Sequence, residues 1–440
     1  MKRKMATRLL ALFIVAVVCF TGCGPGAGTG GSDGTKGADS KNDRGTKSAG
    51  GSEEPVVLKL YNQTDDQAIM EAMIERYRQI EPNVTIEPTY IPAGEYPDKI
   101  LVYLSGGQDM DIIYINTISE YYSYAQKGVL SDLTTGIQEN SYDTSVLPPI
   151  FQDMKFEEKY YGLPYKRTSW LLFYNKDIFD REGIPYPEQM TWDEFRTLAK
   201  KLTRGDGSDK QWGTFFVNWI LNYMTVQQGV SLFDDNLEKP LRDSFQLVYD
   251  LYYTDESSMS LKEQVATKAD WLTSWEQGNI AMYMMGNWLV PLIRPDELAG
   301  KSKVNYGVTS LPVPAGVEPG TTFGQGGFLA VPENSTKKQA AMRFVTWAAG
   351  PEGNTITAGQ GFLPAIVSED TKSALASFMK TDAYVDVMLD TKLVPEFESR
   401  PYMEELRQIC AEEGDLYLMQ EKDLDSAIAS ILERRDELLK

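Results

Sequence analysis

Histidine is absent from this 440-residue chain. That absence removes Ser-His-Asp and Cys-His nucleophilic sites and metal sites built on imidazole, and no acidic spacing reads as a calcium loop. Among common hydrolytic schemes, chiefly a pair of carboxylates stays open. Cysteine is scarce, with Cys19, Cys23 and Cys410 alone. Cys19 sits in an N-terminal apolar run, Cys23 follows it and Cys410 is far away, so no disulfide is expected within a mature monomer. Positive charge is in deficit, with 43 Lys and Arg against 63 Asp and Glu. A body so acidic is repelled by nucleic acid and by anionic lipid. A phosphate-cradling motif is also lacking: the glycine-rich Phe323 to Pro332 stretch has neither GK[ST] nor GxGxxG spacing.

What is present begins with an address. Lys2, Arg3, Lys4 and Arg8 precede the apolar run Leu9 to Phe20, whose 12 residues are too few to cross a bilayer and fit a secretory signal over residues 1–22. Phe20-Thr21-Gly22-Cys23 resembles a bacterial lipobox, with Phe20 in place of the usual leucine, so Cys23 is the expected lipidation site. Secretion without lipid is the alternative. Residues 24–54 hold almost no large apolar side chain, so they form a flexible Gly/Ser-rich tether spanning roughly 30 Å. With the four basic residues of the signal removed, 39 Lys and Arg face 63 Asp and Glu, a net charge of −24.

The folded body reads as α/β. Val56 to Tyr61 is a strand; Ile69, Met70, Met73, Ile74, Tyr77 and Ile80 keep helical spacing up to Glu81-Pro82; Val84 to Tyr90 is a second strand. A helix near Tyr96 to Leu104 and the strand Asp111 to Asn116 complete an alternation that implies a mainly parallel sheet. Ligands of such sheets meet loops at the carboxyl ends of strands, where Asn62, Gln63 and Asn116 fall. Thr191-Trp192-Asp193-Glu194 has capping-box spacing. Five tryptophans, Trp212, Trp219, Trp271, Trp275 and Trp288, fall within 77 residues. The stretch Tyr161 to Phe179 passes from a Gly-Leu-Pro turn through a polar run into the apolar burst Leu171 to Tyr174, the pattern of a crossing between two lobes.

These motifs carry a resemblance. YGLP, then YNKDIF beginning ten residues after its proline, then TWDEF with a helix ending KKLT are similar to the core of the extracellular solute-binding proteins of family 1, the maltose-type sugar receptors of ABC importers. LKLYNQ, DIIYIN with YAQKGVL, WEQGNIAMYMMGNW, GQGGFLAV and GQGFLP follow in the family's order across Val56 to Lys440. The resemblance implies a two-lobe periplasmic-binding-protein-like fold, each lobe a mainly parallel sheet flanked by helices, joined by three interlobe crossings. These would lie at Lys166 to Trp170, about Leu311 to Gly324, and Gly361 to Pro364. Lobe one would take residues 55–165 and 324–361, lobe two residues 166–323 and 362–440. The implied protein is a monomeric receptor, not an enzyme and without a cofactor. It would sit lipid-anchored outside the cytoplasmic membrane, closing on a carbohydrate and delivering it to permease subunits. A sensory receptor for a membrane kinase and a lipid-anchored glycosidase are the rival readings.

A pyranose offers an apolar C–H face to an aromatic ring and a rim of hydroxyls to amides and charged groups. Trp288 matches the family's Gly-x-Trp stacking loop, and Trp219 with Asn222 matches a looser aromatic position. Trp170 lies at the crossing, with sugar stacking and interlobe packing both open. Asn62, Gln63 and Asn116 are polar candidates whose alternative is turn capping. Gly327 and Phe328 lie in a loop where glycine permits backbone approach to a ligand. Arg400 and Tyr402 fall in the family's last cleft segment; Arg400 grips a hydroxyl pair or carboxylate, or makes a surface ion pair. With Lys166 and Arg167 at the crossing, it leaves a uronic-acid-containing ligand open. Trp192 and Trp347 read as core, as do Trp271 and Trp275, four apart on one helix face. Asp111 reads as structural.

Overall fold

A computed structural model describes residues 54–152, 154–302, 304–379, 383–389 and 391–440. The expected signal peptide, Cys23 and nearly all of the tether lie outside the described residues. Among those described, no helix is long and apolar enough to cross a membrane.

β1 (Val56–Gln63), β2 (Val84–Ile91) and β3 (Ile112–Ile115) pair in parallel, connected through α1 (Gln67–Ile80) and α2 (Tyr96–Ser105). α1 buries Ile69, Met70, Met73, Ile74 and Tyr77, the stripe its spacing calls for. α3 (Ile118–Gln126) follows β3, with the Thr117 hydroxyl accepting from the Glu120 amide. Next come β4 (Leu163–Arg167), β5 (Trp170–Asn175), β6 (Trp212–Phe215), β7 (Ile280–Gly286), β8 (Tyr306–Thr309), β9 (Thr321–Gly324), β10 (Gly326–Ala330) and β11 (Lys392–Pro395). One sheet has the order β2-β1-β3-β10-β4, a second β6-β7-β5-β8, and β9 pairs in parallel with β11.

The sheets are mixed, which corrects the mainly parallel expectation. β10 runs antiparallel to β3 and β4, and β5 runs antiparallel to β7 and β8; β6 and β7 are parallel. A helical crossover makes neighbouring strands parallel. β4, β10 and β5 enter or leave their sheets from the other sheet, so no such crossover fixes their direction.

Only Thr168 and Ser169 separate β4 of the first sheet from β5 of the second. The chain returns from β8 through β9 to β10. At this junction the Thr168 amide donates to the Gln325 carbonyl at 2.7 Å, the Arg167 amide donates to the Leu363 carbonyl at 2.9 Å, and Lys166 bridges to Pro364. After Pro364 the Ala383–Leu389 helix packs against β8, and Tyr384 donates from its hydroxyl to the Tyr306 carbonyl at 2.9 Å. Three stretches between the sheets therefore meet at residues 166–168. β5 ends at Asn175, whose side chain accepts from the Asp177 and Ile178 amides and starts the helix Lys176–Glu182. Further on, Thr191 and Glu194 form the expected capping box of the helix Trp192–Leu202. YNKDIF and TWDEF are scaffold.

Candidate functional site

Four tryptophans form a line beside the junction. Trp271 to Trp219 is 5.7 Å between ring centroids, Trp219 to Trp170 6.4 Å, and Trp170 to Trp288 5.2 Å, all edge to face. Trp219 is 43% exposed, while Trp271 and Trp288 are half-buried, so three of the four keep open surface for a flat ligand. Trp275 instead is buried and stacks on Tyr283 at 5.4 Å. The expected shared core face is thus split: Trp275 belongs to the core and Trp271 to the line.

The seat of Trp288 is built from its neighbours. A side-chain carbon at Gly286 would lie 1.8 Å from the indole, so only glycine leaves room for that ring. Asn287 is buried and accepts from the Ser169 amide at 2.9 Å while donating its own amide to the Ser169 carbonyl at 3.0 Å. The Gly-Asn-Trp loop is thereby fastened to the junction.

Trp170 is a correction. At 2% exposure its faces are covered by Trp219, Trp288 and Phe323, so it presents none to a ligand. Its indole N–H donates to the Glu396 carboxylate at 3.1 Å, and its carbonyl accepts from Thr322 at 2.6 Å. Trp170 packs the junction and holds its neighbours apart. Glu396 is buried there, and loss of solvation pushes its carboxyl up to about 7.

On the first sheet, Asn62 is buried, its carbonyl oxygen accepting from the Gln63 amide at 2.7 Å. Its Nδ2 approaches the Tyr165 hydroxyl without a well-formed hydrogen bond. The Gln63 side chain, nearly buried, has no hydrogen-bond partner among the described residues. Three residues on, buried Asp66 takes both the Tyr165 hydroxyl and the Lys166 ammonium. Lys166 Nζ lies 4.8 Å from the Tyr114 ring centroid and 5.5 Å from that of Phe362. Asn116, half-buried, accepts from the Tyr114 hydroxyl at 2.8 Å. Asp111 is buried and structural, held by the Lys59 amide, Ser335 and Lys337.

Other expected contacts do not survive. Phe328 is fully buried against Tyr121 and Phe151, too deep to touch a ligand. A side-chain carbon at Gly327 would meet Lys166 Cε at 2.4 Å, so that glycine admits the lysine rather than a ligand. Asn222 is buried ahead of the helix Tyr223–Gln227, its carbonyl accepting from the Thr225 hydroxyl. Arg400 lies 3.8 Å over the Phe233 ring and pairs with Glu398 at 3.2 Å, the surface ion-pair alternative. Tyr402 is half-exposed in a left-handed turn ahead of the helix Met403–Leu418.

A second contact joins the two halves. Ser119 of α3 donates to Glu404 at 2.8 Å, and Glu404 takes Arg407 of its own helix. That helix packs on the helix Glu238–Tyr249 of the second half. Glu120, half-buried beside Glu404 and accepting from the Asn116 amide at 3.1 Å, is pushed up to about 7 by loss of solvation and by the Glu404 charge. A cavity of ≈ 240 Å³ lies between these elements, lined by Ile118, Phe151, Met154, Gly326, Phe397 and Ser399. Larger cavities lie against the helix Trp192–Leu202, of ≈ 440 and ≈ 310 Å³, and beside Trp347, of ≈ 440 Å³. The junction is the better site, because the partly open indoles of Trp219 and Trp288 and the unpaired polar atoms of Ser169 and Gln325 lie along it. Trp192 is core as expected, whereas Trp347 is half-buried on Tyr77 and Phe344.

Asp66, Asn287, Glu396 and the place of Trp271 were not singled out from the sequence. Asn287 lies inside the flagged GNW motif, and Asp66 follows the flagged Asn62-Gln63; Glu396 carries no local signal.

The bacterial extracellular solute-binding protein family model matches residues 61–355. The arabinooligosaccharide-binding protein of Bacillus subtilis (strain 168) is 24% identical over 323 residues, covering 70% of this chain and 72% of its own. A sugar transporter from Rhizobium etli, solved in an open conformation, superposes with a TM-score of 0.73 at 28% identity, over 87% of this chain and 99% of that one. An ABC substrate-binding protein from Listeria monocytogenes, in complex with cycloalternan, has a TM-score of 0.77 at 20% identity, over 88% and 99% of the two chains, a likeness of fold. Two mixed sheets, a three-stretch junction and a match over two-thirds of the sequence agree: the chain belongs to the bacterial extracellular solute-binding protein family.

Proposed function

We propose that this protein is the carbohydrate receptor of an ABC importer, taking an oligosaccharide between two lobes and delivering it to permease subunits. The family is one of extracytoplasmic binding receptors rather than enzymes. The observation that carries the sugar reading is the line Trp271, Trp219, Trp288 around buried Trp170, which offers separate apolar faces for successive pyranose rings. The Bacillus subtilis relative is named for an arabinooligosaccharide, and structures of the same fold hold cycloalternan and mannotriose. Gln63 and Asn116, at the ends of β1 and β3, are the hydroxyl partners in this reading. Lobe one comprises residues 55–165 and 324–361, and lobe two residues 166–323 and 362–440. Cys23 anchors the body to the outer face of the cytoplasmic membrane through the glycine-rich tether.

A thermal-shift screen across neutral and acidic oligosaccharides tests this. A ligand at a hundredfold over its dissociation constant adds about 2.7 kcal/mol, a shift of several degrees in a body of this size. A panel without a single stabilising sugar, or a stabilising sugar that Trp288→Ala binds as tightly as the native chain, overturns the reading.

A further inference from the structure

Of the three cations that the sequence offers to an acidic ligand, the structure disposes of two. Arg400 is answered by Glu398 and Phe233, and Lys166 by Asp66. Arg167 is not answered. It is 8% exposed, its Nε has no hydrogen-bond partner, and no carboxylate pairs with its guanidinium among the described residues. Burial alone lowers its pKa, to about 10, so it is still a cation at neutral pH. An unpaired buried charge is strongly unfavourable and is ordinarily removed or given a partner. In a chain with 63 acidic residues, a partner would be easy to supply.

The location gives the reason. Arg167 lies opposite Gly326 in the β4–β10 pairing and binds the Leu363 carbonyl through its amide, so all three inter-sheet stretches meet at this residue. Two further buried polar atoms of the same junction also lack partners: the Ser169 hydroxyl, two residues along the chain, and Oε1 of Gln325, the residue whose backbone clasps Thr168. Ser169 is the residue to which the Trp288 loop is fastened. A guanidinium fork matches a planar carboxylate, which accepts two parallel N–H bonds from it.

We propose that Arg167 is a specificity residue for an acidic group on the ligand, the carboxylate of a uronic-acid unit in an oligosaccharide. This rests on the sugar-receptor reading of the same cleft. A neutral sugar closing over Arg167 leaves the charge unpaired and deeper in protein; a uronate closes it as a bidentate pair. Discrimination therefore falls on the acid group, while the indole line serves either ligand.

Calorimetric titration of the native chain with matched pairs decides it: trigalacturonate against its fully methyl-esterified form, and trimannuronate against mannotriose. The expected result is that at least one acidic member binds about a hundredfold more tightly than its neutral mate, and that Arg167→Gln brings this ratio near one. Arg167→Lys, which keeps the charge but loses the fork, retains part of it. The melting temperature of ligand-free Arg167→Gln should stay level or rise, because a strained charge has been removed; a fall of several degrees marks a structural arginine and overturns the proposal. Neutral members binding as tightly as acidic ones overturns it and leaves the sugar receptor standing. Inorganic sulfate stabilising the native chain as much as any uronate also overturns it, in favour of a simple anion site. Binding of no saccharide in the panel overturns both readings.

Discussion

Gly286 and Asp66 show how single residues set the site. The Trp288 ring occupies the space that any side-chain carbon at Gly286 would take, at 1.8 Å. Gly286→Ala must therefore push the indole off its seat. The expected outcome is a loss of sugar affinity of roughly tenfold to a hundredfold, comparable to Trp288→Ala, because a stacking anchor carries a disproportionate share of binding energy. An alanine variant with native affinity in calorimetry would show that the ring is not a platform. Asp66 has a different duty, since it is buried and holds both Lys166 and Tyr165. Asp66→Asn keeps the shape and strands the lysine, so stability should drop by about 3–5 kcal/mol in urea titration, the range for breaking a buried pair. A drop under about 1 kcal/mol would mean that Lys166 finds another partner. The loop that carries Trp288 was legible in the sequence because GNW is a contiguous motif. Asp66 was not, because Thr64-Asp65-Asp66 reads as a polar turn and its partner lies 100 residues away.

At the scale of elements, the contact between α3 and the helix Met403–Leu418 gathers carboxylates. Glu120 faces Glu404, Arg407 and the Asn116 and Thr117 amides; nearby Glu396 faces Trp170 and Arg407. Both are pushed up to about 7 from the ordinary 4.5. A carboxyl whose folded pKa is raised binds its proton more tightly when folded. Its contribution is therefore full below about pH 4.5 and is lost as pH climbs through 7. Acidifying from pH 7.5 to 5.5 should raise stability by on the order of 2 kcal/mol per carboxyl, seen as a melting temperature several degrees higher. Carboxylates held low, such as Asp132, Asp255 and Glu333, act with the opposite sign below pH 4 and leave this window alone. Glu120→Gln with Glu396→Gln should flatten the slope, and a melting temperature that falls between pH 7.5 and 5.5 would refute the assignment. Elements were legible where a local pattern sufficed: the stripe of α1 and the Thr191 capping box are both present. Strand direction was not, because β5 and β10 take theirs from partners brought in across the junction, which no period in the sequence encodes.

At the scale of the molecule, two sheets and three short connections make a hinge whose closing must be set by what touches both sides. The order of motifs along the chain was enough to anticipate two lobes, because each motif is local and their succession is collinear with the fold. The contact that joins the lobes was invisible for the converse reason: Ser119 and Glu404 are 285 residues apart and share no motif. Only a ligand with greater affinity for the closed form can bias the lobes toward closure. A sugar bridging the Trp288 line and the strand ends at Gln63 and Asn116 meets that requirement. One resting on the tryptophans alone does not. Small-angle scattering should therefore show the radius of gyration falling on saturation with the cognate sugar. Ser119→Ala, which cuts the bridge to Glu404, should enlarge the ligand-free radius and weaken the sugar, because the open form then competes better. A radius that stays constant through saturation, with binding proven by calorimetry in the same sample, would leave a receptor that binds on one lobe and does not close.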